Sequence, residues 1–193
     1  TLFDSLIKVI FTQILTKSSD AFIKEKIADM RARRRKYGST VYLLEPNLKE
    51  GEGGLRDLQT AMWVARIKFK YINLKELIIN GVMSEEELES YHAALDYLWR
   101  IRNELHYYSG RKNDQLTFDA QVHMARFLGY ADGERNLAVE DFMRDYYRHA
   151  NRVEHFASSL VSRCVWRDEG ALKILGYFIR RPVGDGCFVL KGE

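Results

Sequence analysis

Only 2 prolines and 2 cysteines occur among the 193 residues, and no apolar run approaches the roughly 18 residues needed to span a bilayer, since Asp4 and Lys8 already break the opening apolar segment. With so little proline, and few β-branched residues alternating with polar ones, the chain favours long helices over a sandwich or barrel. Cys164 and Cys187 form neither a CxxC nor two pairs, which argues against structural zinc and a disulfide framework and points to a reducing cytoplasm. Charge of one sign is lacking too. The 30 Lys and Arg against 27 Asp and Glu leave +3, too weak a field for a non-specific nucleic-acid binder, so any anion binding has to be local. What is present is ordinary for a packed globular chain, 46% hydrophobic and 30% charged, long enough for one compact domain with a sizeable core. The expectation is an all-α, antiparallel helical bundle without a membrane or nucleic-acid partner. The chain opens on Thr1 rather than Met and ends on Lys191, Gly192 and Glu193 after an apolar run, which reads as a piece of a longer protein.

Residues 2–15 place Leu2, Leu6, Val9 or Ile10, and Gln13 or Ile14 at three- and four-residue steps, as an amphipathic helix does. Ser18, Ser19 and Asp20 offer caps for a second helix, with Ile23, Ile27, Met30 and Tyr37 on one face and Lys24, Lys26, Arg31, Arg33, Arg34, Arg35 and Lys36 as a basic, solvated remainder. Residues 42–45 read as a short extended piece, because the position before Pro46 is pushed out of the helical region. A helix then starts after Gly53 and Gly54, with Leu55, Leu58, Met62, Ala65 and Phe69 in step. Ser84 and Glu87 form a capping box, followed by a seam of Leu88, Tyr91, Leu95, Leu98, Arg102 and Leu105 toward Gly110. A shorter helix covers residues 118–128 between Thr117 and Gly129, and residues 129–136 read as a polar loop. The longest helix covers residues 137–164 on a stripe of Phe142, Tyr146, Ala150, Val153, Phe156 or Ala157, Leu160 and Cys164. In domain terms, residues 1–165 form the bundle, with N-terminal helices in 1–37, a glycine-rich elbow in 45–57 and the main bundle in 55–164. Residues 166–193 read as a tail or junction, in which Cys187 to Leu190 has the pattern of a strand.

The elbow is the most unusual stretch. Gly51, Gly53 and Gly54 fall within four positions and feed a helix N-terminus, an arrangement whose amides can face an anion. Lys49 before it and Arg56 in the first turn add cations suited to phosphate oxygens or a partner's carboxylate. It is neither a Walker loop, lacking GK[ST], nor GxGxxG after a buried strand. The competing reading is structural: the glycines make a tight entry, Asp57 complements the helix dipole and Arg56 pairs with a surface acid.

A second candidate lies further along. Arg102 and His106, four residues apart beside Trp99, share a helix face. A guanidinium on an apolar seam calls for an acidic partner, Asp114 or Asp119, or for a ligand cleft. In the structural version Arg111, Asp114 and Asp119 are fasteners of the connection from Gly110 to Phe118. The histidines at 92, 106, 123, 149 and 155 contain no HExxH, and no GxSxG or activated cysteine is present, so neither a metal nor covalent catalysis is expected of this segment.

Residues 44–59, LEPNLKEGEGGLRDLQ, closely resemble the segment that follows the nucleotidyltransferase domain in bacterial protein-PII uridylyltransferase/uridylyl-removing enzymes. The resemblance continues through WRIRNELH at 99–106, Gly110 with Arg111, Leu116 to Asp119 with Gln121, and VEDFMRDYY at 139–147, so it covers nearly the whole chain in order. A related GGLRD element occurs in glutamine-synthetase adenylyltransferases and in regulatory nucleotidyltransferases with nucleotide-sensing domains. The resemblance implies a helical domain beside a polymerase-β-like catalytic domain that uses Mg²⁺ and transfers UMP from UTP to a tyrosine of the PII signal protein in nitrogen regulation. It also implies the adjoining nucleotidyltransferase domain, and PII itself, as partners. This sequence has no GS leading to DxD and no HD dipeptide, so the segment alone is expected to be catalytically silent, with Lys49, Gly53, Gly54, Arg56, Asp57, Arg102, His106 and Arg111 as nucleotide- or partner-binding candidates. Two alternatives stay open. Arg100 and His106 have the R-x5-H spacing of HEPN ribonucleases, with Asn103 between them, and a purely protein-docking bundle would bind PII without nucleotide affinity.

Overall fold

A computed structural model describes residues 2–9 and 19–166, and within them the chain forms seven helices: α1 (Leu2–Val9), α2 (Ser19–Tyr37), α3 (Leu55–Phe69), α4 (Lys75–Ile79), α5 (Glu85–Ser109), α6 (Phe118–Phe127) and α7 (Ala138–Trp166). The all-α expectation holds among the described residues, where the only extended pairing is an antiparallel bridge between Asn47 and Gln115. None of these helices is long and apolar enough to cross a membrane. Residues 10–18, including Gln13 and Ile14 of the expected first helix, and the expected strand at Cys187 to Leu190 lie outside the described residues.

The spine is α7. Its buried positions Phe142, Tyr146, Ala150, Val153, Ala157, Leu160 and Cys164 recur at three- and four-residue steps and so form one continuous stripe. That stripe serves two cores. Phe142, Tyr146, Ala150 and Val153 pack with Leu98, Ile101 and Leu105 of α5, Met124 of α6, and Leu48, Leu55 and Leu58 around the elbow. Ala157, Leu160, Val161 and Cys164 pack with Ala61, Val64 and Ala65 of α3, Tyr71, Leu77, Met83 and Ile23. Phe156 packs against both clusters. Cys164 is a free thiol whose burial pushes its pKa up to about 12, which makes it part of the core rather than a nucleophile.

Helix ends follow their local chemistry. Ser84 Oγ accepts from the Glu87 amide at 3.1 Å while the Glu87 carboxylate accepts from the Ser84 amide at 2.9 Å, completing the capping box of α5. Arg163 near the end of α7 donates to both Glu87 oxygens at 2.6 and 2.9 Å, and these hydrogen bonds hold that carboxyl below its ordinary pKa. Gly110, at φ 60°, closes α5 in the left-handed conformation. Thr117 sits at the start of α6, but its side chain makes no cap. The Glu45 carboxylate, from across the fold, accepts from the Phe118 amide at 2.9 Å instead.

Two local expectations need correction, for α5 and α2, and two further features go beyond the sequence pattern. The buried seam of α5 is Ala94, Leu98, Ile101 and Leu105, so Ile101 takes the position given to Arg102, and the guanidinium lies at the edge of the seam rather than on it. The five-residue α4, which buries Leu77, is too short to show a period in sequence. The basic remainder of α2 is not uniformly solvated, because Arg33 and Arg34 turn inward onto carboxylates. Residues 42–45 form no regular strand. Their carbonyls are taken up by side chains, with Tyr147 Oη donating to Leu43 at 2.8 Å and Gln121 Nε2 to Leu44 at 2.6 Å.

Candidate functional site

The elbow is built from the inside out. Asn47 Oδ1 accepts from the Lys49 and Glu50 amides at 3.2 and 2.8 Å, folding the chain back on itself in an Asx turn. The Gly51 amide donates to the Asn47 carbonyl, Gly54 to Gly51, Leu55 to Leu48 and Arg56 to Lys49, all within 2.9–3.0 Å. The first-turn amides of α3, which the sequence offers to an outside anion, are therefore consumed by carbonyls of the elbow itself. Gly51, Glu52, Gly53, Gly54 and Leu55 are buried, and the side chains facing outward are Lys49, Glu50 and Arg56. An anion at this place would therefore meet side chains and not a backbone nest. Gly53, at φ 74°, lies so close under α7 that a Cβ there would run into the Ala150 carbonyl.

Asp57 is the anchor of the arrangement. It is fully buried, and one carboxylate oxygen takes Arg33 while the other takes Arg34 Nη2 at 2.9 Å, Arg34 Nε at 3.2 Å and the Gly53 amide at 3.1 Å. Arg34 Nη1 continues to Glu52 at 2.9 Å and Glu154 at 3.4 Å, so one guanidinium ties α2 to the elbow, α3 and α7. Burial alone would lower the pKa of Arg34, but Asp57 and Glu52 outweigh it and hold the guanidinium above its ordinary value. Outward of this network lies a groove of about 460 Å³ between α2 and α3, lined by Lys26, Arg33, Lys36, Glu50, Arg56 and Trp63 among others. The Arg56 guanidinium lies over the Trp63 ring at 5.9 Å and donates to Gln59 at 3.1 Å.

The second cluster closes onto the first. Arg102 Nε donates to Asp114 Oδ1 at 2.6 Å, and His106 Nε2 reaches the same oxygen at 3.1 Å, with Arg102 over Trp99 at 5.3 Å. Burial pushes the Asp114 carboxyl up, but the hydrogen bonds from Arg102 and His106 prevail and leave it below its usual value. The backbone carbonyl of Asp114 accepts from Leu48 at 2.8 Å and Leu116 donates to Pro46 at 2.9 Å, so the Asp114 loop and the elbow are stitched together. The expected fastener is Asp114 alone, since Asp119 and Arg111 are exposed. Arg100 is exposed as well, and six positions along α5 set it about 240° around the helix from His106, so the two are not brought to one face.

The sequence reading missed Arg33, Arg34, Glu52 and Glu154. A usable signal was present: neighbouring arginines about 100° apart on a helix can grasp the two oxygens of one carboxylate. Among the described residues no group of three or more His, Cys, Asp or Glu side chains is placed to hold a metal ion.

Of the other histidines, His92 and His155 are exposed, and His123 pairs with Glu104 at 2.7 Å while stacking on Tyr108. His149 stacks on Tyr97 with centroids 4.0 Å apart, and its buried Nδ1 has no hydrogen-bond partner among the described residues. Burial, then the nearby Arg152, lower its pKa below 6.5. The folded chain therefore takes up this proton at lower pH than the unfolded chain, and stability contributed above pH 6.5 is lost as the pH falls below it. Melting curves between pH 7.5 and 5 should show a shallower acid loss for His149→Phe, which keeps the stack, than for the parent. Equal slopes would remove His149 as a source of the acid sensitivity.

Residues 21–161 match the family model described as GlnD PII-uridylyltransferase. The bifunctional uridylyltransferase/uridylyl-removing enzyme of Cereibacter sphaeroides is 41% identical over 161 residues, which are 83% of this chain and 17% of that protein. The enzyme of the same name from Stutzerimonas stutzeri is 42% identical over 144 residues, 75% of this chain and 16% of the relative. That from a Bradyrhizobium species is 33% identical over 180 residues, 93% and 19%. The chain thus spans less than a fifth of the length of these curated relatives. No solved structure matches it. With the matched stretch running from α2 through most of α7 and including the whole elbow, the chain belongs to the GlnD PII-uridylyltransferase family.

Proposed function

We propose that this chain is the helical accessory and regulatory part of a cytoplasmic bifunctional uridylyltransferase/uridylyl-removing enzyme. It packs beside a nucleotidyltransferase domain that moves UMP from UTP to a tyrosine of the PII signal protein, and relays regulation without carrying out the chemistry. The reading is carried by the elbow, a buried and internally bonded bend that presents Lys49 and Arg56 outward from a base pinned by Asp57. Such a base holds a cation in place before the reaction, and a fixed cation beside a departing pyrophosphate stabilises developing negative charge without reorganising at that moment. In this reading Gly53, Gly54 and Asp57 position, Lys49 and Arg56 face the shared cleft, Arg102 and His106 hold the Asp114 loop against the elbow, and exposed Arg111 is available to PII or the neighbouring domain. In this reading magnesium and UTP are held by the neighbouring domain, and this chain contributes positioning and the outward cations.

In the intact enzyme, Arg56→Ala should slow UMP transfer by about tenfold or more while helicity and Tm stay within about 2 °C of the parent, since its ion pair with Glu50 is long and partly exposed. A steady-state assay of UMP incorporation into PII, run beside a thermal melt, decides the matter. Unchanged transfer, or transfer and Tm lost together, would return Arg56 to a structural role.

A further inference from the structure

Glu50 is surrounded by three cations and approaches none of them closely. Its Oε1 lies 3.4 Å from Lys49 Nζ and 3.5 Å from Arg56 Nη2, and its Oε2 lies 3.8 Å from Arg33 Nε. Charge-assisted pairs with good geometry close to about 2.7–2.9 Å, so a two-oxygen carboxylate on a short tether spans this ring of donors without satisfying it. Arg33 Nε shows the same shortfall from the donor's side, being a buried donor with no hydrogen-bond acceptor among the described residues. Lys36, in the last turn of α2 on the same groove, forms no ion pair among the described residues and lies beside the Tyr37 ring. The groove lining carries Lys26, Arg33, Lys36 and Arg56 against Asp29 and Glu50, and Trp63, 43% exposed, adds a flat apolar wall.

We infer that Glu50 is a built-in stand-in for a phosphoryl group, and that the α2–α3 groove takes a phosphate-bearing anion that displaces the Glu50 carboxylate from Arg33, Lys49 and Arg56 and recruits Lys36. A phosphoryl group has three oxygens and nearly twice the charge, so it meets separated cations that one carboxylate leaves at 3.4–3.8 Å. Glu50 in turn lowers affinity for the incoming anion, because it offsets part of the groove's positive charge. The inference rests on the elbow being the anion-facing part of the chain and adds the class of ligand and the residue that competes with it.

Calorimetric titration of the 193-residue chain with inorganic pyrophosphate and, separately, with ADP at low ionic strength tests it. Glu50→Gln removes a like charge from the site and should tighten pyrophosphate binding by about threefold or more. Lys36→Ala, an exposed helix position that touches no core, should weaken it by a similar factor with Tm unchanged. ADP binding more tightly than pyrophosphate would assign the phosphate to a nucleotide whose ring uses Trp63, and equal affinities would assign it to free phosphates. Undetectable binding by both the parent and Glu50→Gln, Glu50→Gln binding no tighter than the parent, or an unchanged affinity in Lys36→Ala overturns the proposal. A failed titration alongside lost UMP transfer in Arg56→Ala would sink the stand-in and leave the accessory reading intact. Pyrophosphate binding with normal transfer in Arg56→Ala would do the reverse.

Discussion

Asp57→Ala is expected to destabilise the chain by about 3–5 kcal/mol, read as a fall in Tm of about 10 °C or more. The carboxylate has no solvent exposure and receives Arg33, both Arg34 Nη2 and Nε, and the Gly53 amide. Truncating it leaves two guanidinium groups facing an emptied site and one buried amide without an acceptor, and such orphaned groups cost more than the pair itself is worth. Glu52 and Glu154 still hold Arg34, so the loss concentrates on Arg33 and the elbow. Because the site is buried, 1 M salt should leave most of the difference in place, unlike a surface pair. Asp57→Asn keeps an acceptor for the Gly53 amide and should fall between the parent and the alanine variant. Combining Asp57→Ala with Arg33→Met should recover part of the loss by removing one of the stranded charges. Thermal melts of the three variants give the ranking, and an alanine variant within about 1 kcal/mol of the parent would mean that water replaces the carboxylate.

The same network marks the boundary of what the sequence discloses. The stripe of α7 and the capping box at Ser84 are local patterns that appear where their spacing places them, whereas α3 buries Leu55, Leu58 and Ala65 of its expected stripe but also Ala61, Val64 and Ile67, with Met62 and Phe69 only partly buried. The Arg102–Asp114–His106 cluster is within reach for the same reason, since His106 and Arg102 lie only 8 and 12 residues from Asp114. Arg34 and Glu154, by contrast, are 120 positions apart, and no local period distinguishes an arginine that turns inward from one that stays in water. The assignment of Arg102 to the α5 seam erred by one residue because adjacent positions both fit a three-or-four-residue step, and only the neighbouring helices decide that Ile101 faces in. The glycine-rich elbow was legible as a special backbone but not in its use. An amide at a helix start serves a phosphate or the chain's own carbonyl equally well, and here Leu48 and Lys49 supply the carbonyls. Asp119 is exposed and stands outside the Asp114 cluster, and Arg111 is exposed to solvent.

Gly53→Ala should cost about 2–5 kcal/mol, through two effects that a comparison with Gly110 separates. At φ 74° an alanine pays roughly 1–2 kcal/mol of backbone strain, and its Cβ would also occupy the space of the Ala150 carbonyl on α7, which overpacking data put at about 1–3 kcal/mol more. Gly110, at φ 60°, has the same left-handed conformation with nothing within 4 Å of where a methyl group would sit, so Gly110→Ala carries the strain without the collision. The difference between the two variants in a denaturant or thermal melt therefore measures how firmly α7 presses on the elbow. The obstacle at Gly53 is backbone rather than a side chain, so trimming a neighbouring residue cannot relieve it. Relief requires the elbow to move off α7, which pulls the Gly53 amide away from Asp57 and loosens the Arg33–Arg34 clasp. The variant should accordingly lose stability together with the outward setting of Lys49 and Arg56, and in the intact enzyme UMP transfer should fall even at temperatures where the fold persists. A Gly53→Ala cost no greater than that of Gly110→Ala would show that α7 yields to the methyl group and that the elbow is not rigidly seated.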